Sequence, residues 1–419
     1  MIKIIDATLR EGNQAPGVNL DPTQTALVAN LLLDVGVDMI ECGHPAASRR
    51  ESERTRYVKS LQLPVPLLAH ARANTKDIDA VADTGAEYVG IFLGVNTLSR
   101  KARVPGRDAA SIREMATGSI LHARARGLKV RFSIEDASRT PQELLVEIGK
   151  LASRAGAERI CYADTVGVAE PTEVFESVSL LKCEVQGVEL EVHLHNDRGL
   201  AIANSLAALD AGADWISTSV NGLGERCGIT DLNTLLANLY ARGERDITNP
   251  EGLQRLSRTI AGYSRRPVPF SAPVVGRDAF VHTSRLHCLA SERDQSAYYW
   301  LPPKTLGWDN EQGCHALPST VKDLVLEPKV ISARELKYHR NGPGERYVMI
   351  DERFLEDCRQ YCIVRTIPSI DQHGPGHVDG HTHHVDSLFL FLGNEENLKG
   401  LRCEVVLGPV NTNFVKIIG

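Results

Sequence analysis

Short apolar runs recur along the first part of the chain, each followed by a longer stretch whose apolar residues return at helical spacing. The runs predict strands at Ile2–Thr8, Asp38–Gly43, Pro66–Arg72, Tyr88–Gly94, Lys129–Glu135, Arg159–Thr165, Glu189–Asn196 and Trp215–Gly222. Amphipathic stretches such as Pro22–Val35, Asp108–Gly127, Pro141–Ala155, Pro171–Cys183, Gly199–Ala211 and Asp231–Arg242 predict the helices. Several of these close on a glycine (Gly36, Gly85, Gly127, Gly156, Gly212), the usual residue just past a helix end. Eight strand–helix units in roughly 240 residues is the count and length of an α/β fold of the (β/α)8, or TIM, barrel type. A doubly wound open sheet is the competing architecture, and the even spacing favours closure.

Polar residues gather where such a barrel places its chemistry, at the C-terminal strand ends. Asp6, Arg10 and Glu11 come with strand one, His70 and Arg72 end strand three, and Arg131, Ser133 and Glu135 alternate along strand five. Asp164 and Thr165 end strand six, and Asn221, Glu225 and Arg226 follow strand eight. In the seventh strand, Val192-His193-Leu194-His195-Asn196-Asp197 carries two imidazoles two residues apart, hence on one face. Two imidazoles with a carboxylate from elsewhere in the chain suit a divalent metal. Alternatively, the pair lines a polar mouth.

Past about residue 245 the pattern changes. Arg265-Arg266-Pro267-Val268-Pro269 reads as an exit linker, and Tyr298-Tyr299-Trp300-Leu301-Pro302-Pro303 as either a docking strip or a loop packed on the barrel. The tail is β-rich, with strands expected at Tyr347–Ile350, Tyr361–Ile367, Ser387–Leu392 and Arg402–Leu407. Within it, His381, His383 and Asp386 form either a second metal cluster or a solvated His-rich turn. The expected division is a catalytic barrel over 1–262, a linker and helical segment over 263–311, and a small β-rich domain over 312–419.

A net charge of −6 on 419 residues gives no nucleic-acid footprint. No apolar run is long enough to span a membrane, and the start has no signal-peptide layout, so a cytoplasmic protein is expected. Nine cysteines without a Cys-x-x-Cys pair suit reduced, structural thiols.

Three separated motifs, Asp6-Ala-Thr-Leu-Arg10-Glu11-Gly-Asn-Gln14, His193-Leu-His195-Asn-Asp197 and Asn221-Gly-Leu-Gly-Glu225-Arg226, resemble those of the acyl-CoA-dependent Claisen-condensing barrel enzymes. These are the homocitrate synthases, isopropylmalate synthases and their lyase relatives, and the resemblance covers roughly residues 2–300. It implies a divalent metal (Mg, Mn or Zn) held by Glu11, His193 and His195, and a homodimer with acetyl-CoA or a similar acyl-CoA as co-substrate. Ile229 stands where the isopropylmalate branch carries an Asn ligand, so a three-ligand site of the homocitrate type is expected. Arg131 resembles the homocitrate-branch arginine that pairs with the distal carboxylate of 2-oxoglutarate; a structural ion pair with Glu135 is the alternative.

By the same resemblance Arg10 stabilises the developing alkoxide, while Gln14, His70, Ser133, Glu135 and Thr165 position the keto acid with Arg131. His287, with His282 as second choice, moves a proton assisted by Glu225, in a segment that reaches a neighbouring subunit. The implied reaction joins an acyl-CoA to a 2-keto dicarboxylic acid such as 2-oxoglutarate and releases CoA. Another anionic keto acid (oxaloacetate or phosphonopyruvate type), a 3-hydroxyacyl-CoA lyase and a catalytically silent ligand sensor are the alternatives. Asn13, in place of an acidic residue, and the wording of strand four depart from the family pattern and leave the keto acid open. His381-Thr-His383, Asp386 and Gly393 resemble a first cupin motif, so the tail is expected to be cupin-like.

Overall fold

The computed structural model describes residues 2–308 and, farther on, five strands at 329–331, 346–350, 362–365, 402–406 and 414–418. Eight parallel strands close into a barrel in sequence order: β1 (Lys3–Asp6), β2 (Met39–Gly43), β3 (Leu67–Arg72), β4 (Tyr88–Gly94), β5 (Lys129–Glu135), β6 (Arg159–Asp164), β7 (Glu189–Leu194) and β8 (Trp215–Thr218). β1 pairs with β8 through Lys3↔Trp215 and Asp6↔Thr218, and this closes the ring. The expected closed architecture therefore holds over the open sheet.

Around it run α1 (Pro22–Asp34), α2 (Arg49–Ser60), α3 (Thr75–Ala82), α4 (Thr97–Arg103), α5 (Ala109–Ala125), α6 (Gln142–Ala155), α7 (Pro171–Glu184), α8 (Ala201–Asp210) and α9 (Leu232–Ala241). Several of their starts are capped by side chains. Asp21 accepts from Gln24 N at 2.8 Å ahead of Pro22, and Asp231 accepts from Thr234 N at 3.0 Å.

Alternation along each strand divides the molecule into two interiors. Outward residues, among them Ile4, Ile40, Val89, Val130, Phe132, Ile160, Val192 and Ile216, join the helices in one continuous apolar core. Inward residues begin with an apolar floor of Ile5, Met39, Leu68 and Trp215, and above it the lumen turns polar.

Behind the barrel, α10 (Pro250–Ser264) and α11 (Arg285–Arg293) continue the same compact unit, residues 1–317. Val274, Phe280, Leu301, Leu306 and Trp308 pack with Ala237 of α9 into a small second core. Gln254 of α10 fastens it by donating to Val274 O (3.2 Å) and Leu306 O (3.0 Å). The aromatic strip packs in part on the second core: Leu301 is buried and Tyr299 donates to Phe280 O at 3.1 Å, whereas Trp300 stays 53% exposed.

Residues 318–419 form a separate unit. Its described parts are an antiparallel sheet of β9 (Lys329–Ile331), β10 (Arg346–Ile350) and β11 (Cys362–Arg365) in the order β11-β10-β9, and an antiparallel pair, β12 (Arg402–Val406) with β13 (Phe414–Ile418). His381, His383, Asp386 and the strand expected at 387–392 lie outside the described residues. Among the described residues no helix is long and apolar enough to cross a membrane, and Cys42, Cys161, Cys183 and Cys227 are free thiols.

Candidate metal centre and active site

Three of the sequence-expected side chains meet at the C-terminal mouth. Glu11 follows β1, His193 lies near the end of β7 and His195 just beyond it, and one ligand atom from each falls within 4.8 Å of the others. All three are buried, with 2%, 7% and 6% of their surface exposed. Each is aimed by something behind it. Ser217 Oγ of β8 sits 2.8 Å from His193 Nδ1, which leaves Nε2 facing Glu11 Oε2 at 4.0 Å. The backbone N–H of Glu225 donates to Glu11 Oε1 at 3.0 Å. Gly224 makes this approach possible, because a Cβ there would stand 2.9 Å from Glu11 Cγ.

His195 is held through its backbone, bridged to Ile229 and donating to Asp164 O at 3.3 Å. Its Nδ1 is buried without a partner among the described residues. Burial pushes the pKa of both histidines down, so both imidazoles are neutral and have a lone pair to give. A buried, unpartnered ring nitrogen beside a second neutral imidazole and a carboxylate fits a divalent cation. Ile229, where another branch would place a ligand, is apolar and 1% exposed.

Around this cluster lies an ion-pair ladder that runs the length of the lumen. Arg10 bonds Glu11 through Nη1, Gln14 Oε1 at 3.1 Å and Glu41 Oε1 at 2.7 Å. Glu41 Oε2 accepts from Arg131 Nη2 at 3.0 Å, and its Oε1 meets His70 Nε2 at 2.6 Å. Arg131 continues down to Glu191 (3.7 Å), Glu191 to Arg159 (3.0 Å), Arg159 to Glu189 (3.6 Å) and Glu189 to Lys3 (2.6 Å). Burial favours the protonated form of Glu41, but Arg10, His70 and Arg131 outweigh it and hold the carboxyl well below its usual range. Burial likewise opposes the charge of Arg131, and Glu191 and Glu41 more than offset it, raising its pKa. His70 is pushed down to about 3, chiefly by burial, and is neutral.

The structure brings together Arg10, Glu11, Gln14, His70, Arg131, Ser133, His193 and His195, with Arg131 Nη1 donating to Ser133 Oγ at 2.6 Å. It corrects the expected alternative partner of Arg131: Glu135 pairs with Arg103 of α4, and the partners of Arg131 are Glu41 and Glu191. Four residues along a strand span about 13 Å, beyond ion-pair reach, whereas neighbouring strands bring partners alongside. Thr165 Oγ1 accepts from Asp136 N at 2.9 Å and so orders the loop after β5. The carboxylate of Glu225 is half exposed, 4.0 Å from Arg226 Nη1, and its backbone rather than its side chain supports the cluster.

Asn221 is structural, accepting from Ser257 Oγ at 2.6 Å. Asn13, the departure in the first motif, donates to Leu9 O (2.8 Å) and accepts from Leu20 N (3.0 Å), pinning its own loop. His287 stacks on Tyr298 (4.2 Å between centroids) and lies edge-on to His282 (5.9 Å). Among its described contacts, none is with the mouth. Glu41, Glu191 and Ser217 are the residues that sequence reasoning did not single out. The available signal was a carboxylate inside an otherwise apolar strand, as in Met39-Ile40-Glu41-Cys42 and Leu190-Glu191-Val192.

A closed parallel barrel with a two-histidine, one-carboxylate cluster at its C-terminal mouth defines a class of barrel enzyme with a candidate metal centre. Residues 1–260 match the HMGL-like family. Over 338 residues the chain is 39% identical to homocitrate synthase of Sulfurisphaera tokodaii, covering 78% of this chain and 73% of that protein. Homocitrate synthase of Saccharolobus solfataricus is 38% identical over 339 residues, with the same coverage of each. Among solved structures, the HMG-CoA lyase of Bacillus subtilis shares the fold at a TM-score of 0.57 and 19% identity, covering 64% of this chain and 95% of that one. The chain belongs to the HMGL-like family and is an acyltransferase of the homocitrate synthase type.

Proposed function

We propose that the chain, as a homodimer, condenses acetyl-CoA with a 2-keto dicarboxylic acid of the 2-oxoglutarate kind and that water then hydrolyses the thioester, giving a 2-hydroxy tricarboxylic acid and free CoA. The observation that carries this reading is the charge balance of the lumen. Lys3, Arg10, Arg131 and Arg159 face Glu11, Glu41, Glu189 and Glu191, and the histidines are neutral, so the ladder by itself sums to zero. A divalent ion held by Glu11, His193 and His195 leaves two positive charges in excess. A dianionic keto acid neutralises them; a branched monoanion leaves one buried charge unmatched, at a cost of about 1–3 kcal/mol or more.

When bound, the ion supplies Lewis-acid polarisation of the ketone. The remaining work falls to the chain's own side chains. Arg10, fixed between Glu11 and Glu41, presents positive charge beside the centre, where negative charge develops on the ketone oxygen. Arg131, with Ser133 and His70, offers a donor set for the distal anion, while Gln14 and Thr165 border the mouth. In this reading His287, carried in by the second copy, takes the proton from the acyl methyl group, with Glu225 beside it.

Thiol release from acetyl-CoA with a panel of keto acids tests the reading. The expected result is a kcat/KM for 2-oxoglutarate about 100-fold or more above that for 2-oxoisovalerate. A preference for the branched acid would overturn it.

A further inference from the structure

After β4 the chain builds a short cationic segment and ties it down over the barrel mouth. Gly94 ends β4, and a Cβ there would stand 2.4 Å from Ser99 Cβ, so only glycine lets the first turn of α4 lie on the strand end. Asn96 then accepts from Ser99 N at 2.8 Å and donates its amide to Asp136 Oδ2 at 2.8 Å in the loop after β5. At the far end, Arg103 pairs with Glu135, the last residue of β5. Both ends of α4 are thereby anchored to the rim at β4 and β5.

Between and beyond these anchors stand Arg100, Lys101 and Arg107. Arg100 Nη2 reaches Thr97 Oγ1 at 3.3 Å, and its Nε has no partner among the described residues. Lys101 and Arg107 are exposed and make no ion pair with any described residue. Asp108, the nearest acid in sequence, is committed to capping α5 through Ser111 N at 2.8 Å. Cations after other strands differ: Arg72 sits on Asp77, Arg139 on Asp136, Arg198 on Glu170 and Arg226 on Asp197. Three cations without an ion pair among the described residues stand within eight residues; Asp108 offsets Arg100 in part, and this stretch of the rim keeps a net positive field.

The position is informative as well. In the strand order, β4 lies opposite β8 and three positions along the ring from both β1, which leads into Glu11, and β7, which carries His193. An acyl-CoA has its thioester at one end and a diphosphate and 3′-phosphate at the other. With the thioester at the Glu11–His193–His195 cluster, the phosphates must rest elsewhere on the mouth. We propose that Arg100, Lys101 and Arg107 form the subsite for the phosphates of the acyl-CoA's nucleotide end, an inference that rests on the acyl-CoA reading above. Free guanidinium forks and a mobile ammonium are the donors that phosphate oxygens take.

The test is the triple variant R100Q/K101Q/R107Q, at one half-buried and two exposed positions, with Arg49→Gln on α2 as a control surface cation. The KM for acetyl-CoA rises about tenfold or more in the triple variant. Its KM for the keto acid stays within about twofold, and the advantage of acetyl-CoA over acetyl-pantetheine shrinks by about the same tenfold. Titration with 3′,5′-ADP shows binding to the unmodified chain and to the control but not to the triple variant. An unchanged acetyl-CoA KM with unchanged 3′,5′-ADP binding overturns the subsite while leaving the reaction standing. Cation-dependent 3′,5′-ADP binding without thiol release from any keto acid keeps the subsite and overturns the reaction.

Discussion

The two ends of the barrel lumen are built from the same kinds of side chain and do opposite things with them. At the N-terminal end every charge of the ladder has an opposite charge beside it, although Arg159 Nε and Glu191 Oε1 make no hydrogen bond among the described residues. Arg159 is 1% exposed, lies 3.6 Å over the Trp215 ring, and meets Glu191 at 3.0 Å and Glu189 at 3.6 Å, while Lys3 closes the ladder on Glu189. At the C-terminal end, three ligand atoms converge within 4.8 Å and a buried ring nitrogen of His195 has no partner among the described residues. The lower end is a solved electrostatic problem, and the upper end is an open one that, in the proposed reading, a cation and an anionic substrate complete. Buried ion pairs contribute little net stability once desolvation is counted, but breaking one is costly. The floor is therefore expected to matter for folding and the mouth for chemistry.

Arg159→Met breaks the comparison at the floor. It leaves the wholly buried Glu191 with Arg131 at 3.7 Å as its remaining described ion-pair partner, and is expected to destabilise the fold by about 3–5 kcal/mol. Metal affinity of the fraction that remains folded should be unchanged; chemical denaturation and metal titration of the same sample check both. Ser217→Ala sharpens the comparison at the mouth. It removes the partner of His193 Nδ1 without touching the ligand nitrogen, and should weaken metal binding by about 10-fold. Its denaturation midpoint should move by less than that of Arg159→Met, because a lost neutral hydrogen bond costs about 1 kcal/mol.

The architecture was legible wherever one face of an element had a clear apolar signature. Tyr88–Gly94 and Lys129–Glu135 are strands over the residues the pattern predicts. The helix Arg49–Ser60 was not among the stretches singled out, because Thr55 and Val58 are its buried residues in a run otherwise dominated by charge. Strand eight stops at Thr218, four residues short of the apolar pattern, since Val220–Gly222 turns into a 3-10 segment with Asn221 at φ 57°. The candidate metal cluster was legible because its three residues lie in motifs. The ladder was not, because its contacts join residues far apart in sequence. Glu41 meets Arg131 across 90 positions, and nothing local to Met39–Gly43 announces that pairing. The expected contact of Arg131 with Glu135 failed for the same reason, as proximity in sequence along a strand is distance in space.

The most direct test of the account is the divalent metal bound per chain, measured after exhaustive dialysis and reloading, in the unmodified protein and in His195→Ala. The account predicts close to one equivalent of tightly held metal in the first, little in the second, and turnover that falls by about 10³-fold with it. Equal metal content and equal turnover in the two proteins would contradict it.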